Sequence, residues 1–575
     1  MRYIFHYNKP SEQFLDIDFI IEGNKEKELD VQLSAWRPGR YELANFAKNI
    51  RNWKATDENG NELFFKKVKK DLWNILTNGA STIKISYNYY AAELNGGSTW
   101  LDEKQLYVNP VNCCLFLPSR MDETCTIELK VPENYEVAIG LEKIGNKIFK
   151  AKDFHELADS PFIASPTLKH QNFECAGVNF HIWFQGLDFP DWNKLINDFK
   201  PFAEEQVEMF GDFPVKDFHF LFQILPYPIY HGVEHITSTV ITLGPEYDIF
   251  KDHLYTELLG VSSHELFHVW NVKMIRPLEM MPYNFTAENY SRLGWVAEGF
   301  TTYYGDTMLF RSKVFSEQEF FKTFNQQLKK HFDNAGRFNL SVGDSSFDTW
   351  LDGYTPGIPH RKTSIYTEGC LVAFMLDVII RRNQNNEKSL DDVMRGLYHQ
   401  FAKSSKGFNE ADVKALIETA AGKAMDDFFA DYVYGTKDFR PLLDDCLDYL
   451  GLEITEKPSA KFIESHLGIK AIEETEKSIV KIIHRNSVAE NSGMMINDAI
   501  VAVNGYKVNN NLNEWCAYLF EHKQEIELTV YAAQKEKKLK MEMKAGDIYF
   551  KNYELKKKEG LSENQKDAYK KWAGR

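Results

Sequence analysis

Five residues near the middle of the chain, His264-Glu265-Leu266-Phe267-His268, restrict this sequence more than any other feature. On an α-helix, positions i and i+4 lie about 400° apart, so both imidazoles project from one face, one turn apart. Two such imidazoles can share one tetrahedral zinc ion. Glu265, offset by about 100°, can reach a water at that metal without itself ligating it. This is the mechanical content of the H-E-x-x-H pattern. Leu254, Leu258, Leu259 and Val261 supply an apolar helix running into the motif, and Leu266 and Phe267 are apolar at its free positions. A structural histidine pair would give the same spacing, but a glutamate beside it in a core is expensive without a partner.

A catalytic zinc takes three protein ligands and leaves a position for water. The third is expected on an element facing the first. Glu298 lies thirty residues downstream, in Leu293-Gly-Trp-Val-Ala-Glu298-Gly-Phe, an apolar setting in which a charge needs a metal or a partner. A salt bridge to a lysine would satisfy Glu298 equally. Glu279 and Glu288 lack such a setting.

The 575 residues exceed what one core usually spans, so several domains are expected. From Met1 to about Lys169, short alternating segments such as Phe14–Ile21 and Thr82–Tyr87 lie between turn signals, including Glu58-Asn-Gly-Asn61, and predict an all-β domain (1–169). From about Gln171 the periodicity lengthens. Helices are predicted over 191–210, 252–271, 287–311, 316–333, 367–382, 389–403 and 410–421, with a strand at 218–225, giving a mainly α domain over 170–457. Pro458-Ser-Ala460 reads as a linker, after which short strands return in an α+β unit (461–546). The charged segment 547–575 is predicted as a surface helix or tail.

The formal net charge of −15 and the absence of any nucleic-acid motif exclude a phosphate-backbone partner. No stretch of about 18 apolar residues predicts a membrane span. The first residues contain no secretory h-region, which predicts a cytoplasmic chain, or a periplasmic or secreted one if a leader has been trimmed. Seven scattered cysteines do not form a disulfide framework, and the adjacent Cys113 and Cys114 in an apolar run are expected in a buried strand.

With these residues in place, the sequence resembles peptidase family M61, the glycyl-aminopeptidase-like metallopeptidases. Ser263-His-Glu-Leu-Phe-His-Val-Trp-Asn-Val-Lys-Met-Ile-Arg-Pro277 is similar to that family's zinc-helix block, and Trp295–Tyr304 to its third-ligand block. Trp36-Arg-Pro-Gly-Arg-Tyr41 resembles a signature of its β domain, and Ser562–Trp572 its C-terminal segment. The resemblance implies a thermolysin-like (gluzincin) domain related to the aminopeptidase N group, with His264, His268 and Glu298 on one zinc ion and Glu265 as base. It also implies that His231-Gly232-Val233-Glu234-His235 corresponds to the Gly-x-x-Glu block whose glutamate, here Glu234, receives a substrate's free α-amine. Pairing of Glu234 with His235 is the plain alternative. Tyr366, in a Tyr-x-x-Gly block, is implied as the donor to the oxyanion, although Glu368 stands where relatives of the aminopeptidase N type often carry lysine. Residues 461–545 resemble a PDZ domain, with Ser487–Gly505 carrying the likeness and His466-Leu-Gly-Ile469 as the expected carboxylate loop for a peptide C-terminus; packing against the catalytic domain is the alternative role.

The implied activity is release of small N-terminal residues, Gly or Ala, from peptides. Two rivals stand beside it. One is a zinc hydrolase of another bond; the other is a peptide-binding scaffold with a relic zinc site. Oligomeric state is not legible in the sequence.

Overall fold

In the computed structural model, which describes residues 1–355, 357–544 and 546–574, three large hydrophobic cores divide the chain, with a small fourth cluster of Tyr107, Ala138, Ile163, Leu221 and Val240 beside them. The first belongs to an N-terminal all-β domain. Its largest sheet has eight strands, and the two predicted segments pair within it: Phe14–Ile21 runs antiparallel to Ile83–Tyr90, from Phe14 opposite Tyr90 to Ile21 opposite Ile83. Alternate residues of Phe14–Ile21 are buried, as a sheet with one covered face requires. The predicted turn joins Ile50–Asp57 to Glu62–Leu63, with Asp57 Oδ1 accepting from the amides of Asn59 and Asn61. All seven cysteines are unpaired and buried. Cys113 closes a helical turn, Pro110–Cys113, rather than a strand, because Pro110 opens that turn with its fixed φ.

The second domain is mainly helical but begins with a five-stranded sheet, of which only the strand at 218–225 was predicted. Its strands are β1 (Lys169–Cys175), β2 (Val178–Gln185), β3 (Asp217–Ile224), β4 (Ile229–Glu234) and β5 (Ser238–Gly244), in the order β1-β2-β3-β5-β4. In β1 the polar run Lys169–Asn172 hides the alternation, while in β2 Val178, Phe180, Ile182 and Phe184 are buried and alternate with Asn179, His181 and Trp183. Helices α1 (Trp192–Phe210), α2 (Asp252–Phe267), α3 (Thr301–Arg311), α4 (Glu317–Asp333) and α5 (Ile365–Asn383) supply most of the core.

Residues 287–293, predicted as helix, are not helical. Asn289 Nδ2 donates to the carbonyls of Asn284 and Ala287, and Ser291 Oγ accepts from the amide of Leu293. Short polar side chains thus take backbone groups that a helix would use. The chain then enters a π-helical turn, Trp295–Phe300, before α3 begins.

The third core belongs to a C-terminal α+β module with a six-stranded sheet and the helix Leu512–Glu521. The strand Ala499–Val503 turns back onto Tyr506–Lys507 through Asn504-Gly505, the expected hairpin. The last residues correct the reading of a surface tail. Lys551–Lys557 pairs antiparallel with Leu452–Pro458, and the helix Glu563–Trp572 buries Ala568, Tyr569 and Trp572 in the central core. Trp572 Nε1 donates to Tyr303 Oη at 2.9 Å. Three apolar residues at helical spacing sufficed, although lysines and acids outnumber them. Among the described residues, no helix is long and apolar enough to cross a membrane.

Candidate metal centre and substrate cleft

Helix α2 ends at Phe267, with His268 as its C-cap. The Nε2 atoms of His264 and His268 lie 3.0 Å apart, and His268 Nε2 lies 3.4 Å from Glu298 Oε2. The ligand atoms of His264, His268 and Glu298 all fall within 4.8 Å of one another. Two imidazole nitrogens facing each other beside a carboxylate, with His268 and Glu298 buried, form a donor set that a zinc ion fits. Burial and the neighbouring His268 hold His264 well below the usual histidine range, so its lone pair is free. Against the burial that pulls it down, Glu298 carries His268 up to about 9. The ring of His268 is fixed from behind, its Nδ1 donating to the Asn271 carbonyl at 2.5 Å. Asn271 Nδ2 in turn donates to the carbonyls of Val296 and Ala297, tying the metal helix to the turn that carries Glu298. That turn is a π-helix, a geometry often found at functional sites.

Glu265 is buried, and its Oε2 has no partner among the described residues. Burial, reinforced by Glu234 and Glu298, pushes its carboxyl up to about 8. Glu234 ends the edge strand β4, with Oε1 likewise buried and unpartnered. It does not pair with His235, which turns to Asp159 at 3.1 Å. Oxygens of Glu234 and Glu265 lie within 4.8 Å of each other and of a His268 nitrogen. Gly232 makes this approach possible, since a Cβ there would lie 2.2 Å from Glu265 Oε1. Val233 is buried in β4. Tyr366 lies in the first turn of α5, half-buried on the cleft wall, and shares a hydrogen bond with Tyr354. Burial and then Glu298 hold its phenol well above the usual range, so it stays a donor. Glu368 is turned to a buried histidine, His331, at 2.6 Å.

Three residues of the N-terminal domain enter this site, and none was singled out as a site residue in the sequence. Tyr41 Oη donates to Glu298 Oε1 at 3.1 Å. Arg37 Nη2 donates to His231 Nε2 at 3.3 Å, and its charge also acts on Glu234. Gly39, at φ +79°, brings backbone against Glu234, where a Cβ would lie 2.5 Å from Oε2. All three lie in Trp36–Tyr41, so the signal was the concentration of Trp, Arg, Pro, Gly and Tyr in one loop. The loop is anchored from the other side: Trp36 Nε1 donates to the Asn284 carbonyl, and Tyr283 and Phe285 join the N-terminal core. Tyr41→Phe is expected to weaken metal affinity or activity by about 10–100-fold. Titration against a chelator of known affinity checks this, and an unchanged affinity together with unchanged activity would rule it out.

A family model described as the peptidase M61 N-terminal domain matches residues 2–166, and one described as M61 glycyl aminopeptidase matches residues 257–372. The chain belongs to peptidase family M61. It is therefore a metallopeptidase, and both matched segments contribute residues to the cleft. The fold of this M61 peptidase is shared with a crystal structure of an aminopeptidase N family protein from Idiomarina loihiensis. That likeness has a TM-score of 0.90 at 23% identity, covering 100% of this chain and 99% of that one. An M1 zinc metallopeptidase from Deinococcus radiodurans is similar at a TM-score of 0.45 and 12% identity, covering 76% of this chain and 94% of that one. Native yeast LTA4 hydrolase is similar at 0.45 and 12%, covering 75% and 65%. No curated protein sequence matches the chain.

Proposed function

We propose that this M61 peptidase is a zinc aminopeptidase that removes one small residue at a time from the N-terminus of peptides. The observation that carries the reading is Glu234, a buried carboxylate with an unpartnered oxygen, set beside Glu265 and the His264/His268/Glu298 cluster. A protonated α-amine would satisfy Glu234, and so short a separation leaves room for one residue between amine and scissile carbonyl. The backbone of Gly39 and Gly232 crowds the same corner, which favours Gly or Ala as that residue.

His264, His268 and Glu298 would hold one zinc ion, which when bound supplies Lewis-acid polarisation of the carbonyl and a more acidic water. The chain's own groups do the rest. Glu265 takes the proton from the attacking water and returns it to the leaving amine. Tyr366, kept protonated, donates to the developing oxyanion. Glu234, with Arg37 and His231 behind it, holds the amine and so fixes which bond is presented. The C-terminal module is read as PDZ-like, which its strand Ile469–Glu474 supports by lying at the edge of the module's sheet.

The test is hydrolysis of an alanyl or glycyl amide beside its N-acetylated form. Acetylation is expected to lower kcat/KM by roughly 10²-fold, the worth of a hydrogen-bonded charge pair. Equal rates would remove the aminopeptidase reading and leave an endopeptidase.

A further inference from the structure

The cleft, about 1540 Å³, does not end at the metal cluster. Its far wall is built from two parts of the chain that the sequence keeps more than a hundred residues apart. One is the catalytic domain, through α4 and the segment 360–364. The other is the C-terminal module, through strands β6 (Ile469–Glu474) and β7 (Lys477–Ile483). The two meet where His360 Nε2 approaches the Ile483 carbonyl at 3.3 Å and where Lys470 Nζ pairs with Asp333 at 2.5 Å.

This end of the cleft is cationic. Lys329, Lys330, Arg361, Lys362, Lys470 and Lys481 line it, against two carboxylates, Asp333 and Asp352, with Glu368 already given to His331. Asp333 is shared by Lys329 and Lys470, and Asp352 by Arg361 at 3.1 Å and Lys362 at 3.5 Å. Lys330 and Lys481 enter no ion pair among the described residues, and the polar atom recorded nearest Lys481 Nζ is Asn497 Oδ1 at 3.4 Å. A local excess of positive charge in a chain of net charge −15 marks a place for an anion.

The polarity of the whole cleft identifies that anion. At the metal end stand Glu234, Glu265 and Glu298; at the module end stand the lysines. A short peptide with both termini free carries the opposite polarity, an ammonium at one end and a carboxylate at the other. The chain itself supplies a ruler. Lys362 is four residues from Tyr366, and four extended residues reach at most about 14 Å. A substrate of three or four residues is therefore long enough to reach from the metal end to Lys362.

Resting on the aminopeptidase reading, we propose that Lys330, Lys362 and Lys481 form a subsite for the C-terminal carboxylate of tri- and tetrapeptides. The C-terminal module would then set substrate length by walling the cleft. The experiment uses the full chain loaded with zinc and compares kcat/KM for tetra-alanine and its C-terminal amide. Ala-Ala-Glu-Ala amide, which offers a side-chain carboxylate in place of the terminal one, is run beside them. The free acid is expected to be preferred over the amide by roughly tenfold, expressed in KM. The preference should fall to about twofold or less in Lys330→Ala/Lys481→Ala and should invert in Lys481→Glu, at exposed positions that do not challenge the fold. Equal rates on acid and amide would overturn the subsite and leave the aminopeptidase reading standing. A preference that survives the double substitution would overturn its assignment to these lysines. Rescue of the amide by the internal glutamate would show that the site takes acidic side chains instead. Failure to cut any peptide with a free amine would overturn the parent reading, and this one with it.

Discussion

Glu265→Gln is expected to lower kcat by roughly 10²–10⁴-fold, the range supplied by a positioned general base, while leaving the zinc content of the purified protein unchanged. The amide keeps the shape of the side chain but cannot accept a proton from water. Nothing among the described residues engages Glu265 Oε2, so the substitution breaks no internal hydrogen bond there. His268 and Glu298 are held by Asn271 and Tyr41 rather than by Glu265. Metal analysis and turnover on an alanyl amide, run on the same preparation, check both halves. A variant that keeps a tenth of the wild-type kcat would exclude Glu265 as the base. A variant that loses zinc would show that it helps to hold the metal.

The second large effect is expected far from the chemistry. Asp159, in the N-terminal domain, accepts from Lys273 Nζ at 2.6 Å and is approached by His235 Nδ1 at 3.1 Å, while its other oxygen accepts from the Ile236 amide at 2.9 Å. Lys273 follows His268 by five residues, and His235 follows Glu234, so one carboxylate fixes both the metal helix and the amine anchor to the β domain. Lys273 is buried. Asp159→Asn leaves its ammonium unpaired there, which costs about 3–5 kcal/mol. Replacing both groups, as in Asp159→Asn/Lys273→Met, is expected to recover much of the loss, because no charge remains buried. Urea unfolding of the two variants separates the effects, and equal destabilisation in both would refute the unpaired-charge account.

The pH dependence follows in sign. Against its burial, Lys273 and His235 hold Asp159 well below the usual carboxylate range. Its contribution is therefore present above the unfolded value of about 3.9 and is lost as pH falls through the lower folded value. Lys273 is raised above the usual range by Asp159 despite its burial, so its contribution is lost only as pH rises through that higher value. Between these limits the pair is insensitive to pH. In Asp159→Asn the unpaired ammonium prefers to be neutral, the unfolded chain binds more protons, and stability should rise from pH 7 to pH 9.5. A variant whose stability fell over that interval would contradict this.

Whatever depends on periodicity and local spacing was legible in the amino-acid sequence. His264, Glu265 and His268 follow from one helical repeat; the structure places His264 and His268 with Glu298 in one donor cluster, and Glu265 beside it with Glu234 and His268. Phe14–Ile21 was legible from strict alternation, and Asn504-Gly505 from turn chemistry. The all-β N-terminal domain was visible for the same reason. Where polar side chains interrupt a pattern, the reading failed: residues 287–293 are not helical, and β1 opens on the polar run Lys169–Asn172. Trp572 was hidden by the charge around it and emerges as core only because Tyr303 and the central helices lie opposite.

What meets across domains is set by how the domains pack. Tyr41 reaches Glu298 across 257 residues of sequence, Lys273 reaches Asp159 across 114, and Lys470 reaches Asp333 across 137. A spacing of four residues is fixed by the geometry of one helix. Spacings of this length are fixed by how separately folded cores pack, and no local preference of Tyr41, Asp159 or Lys470 encodes the partner it finds.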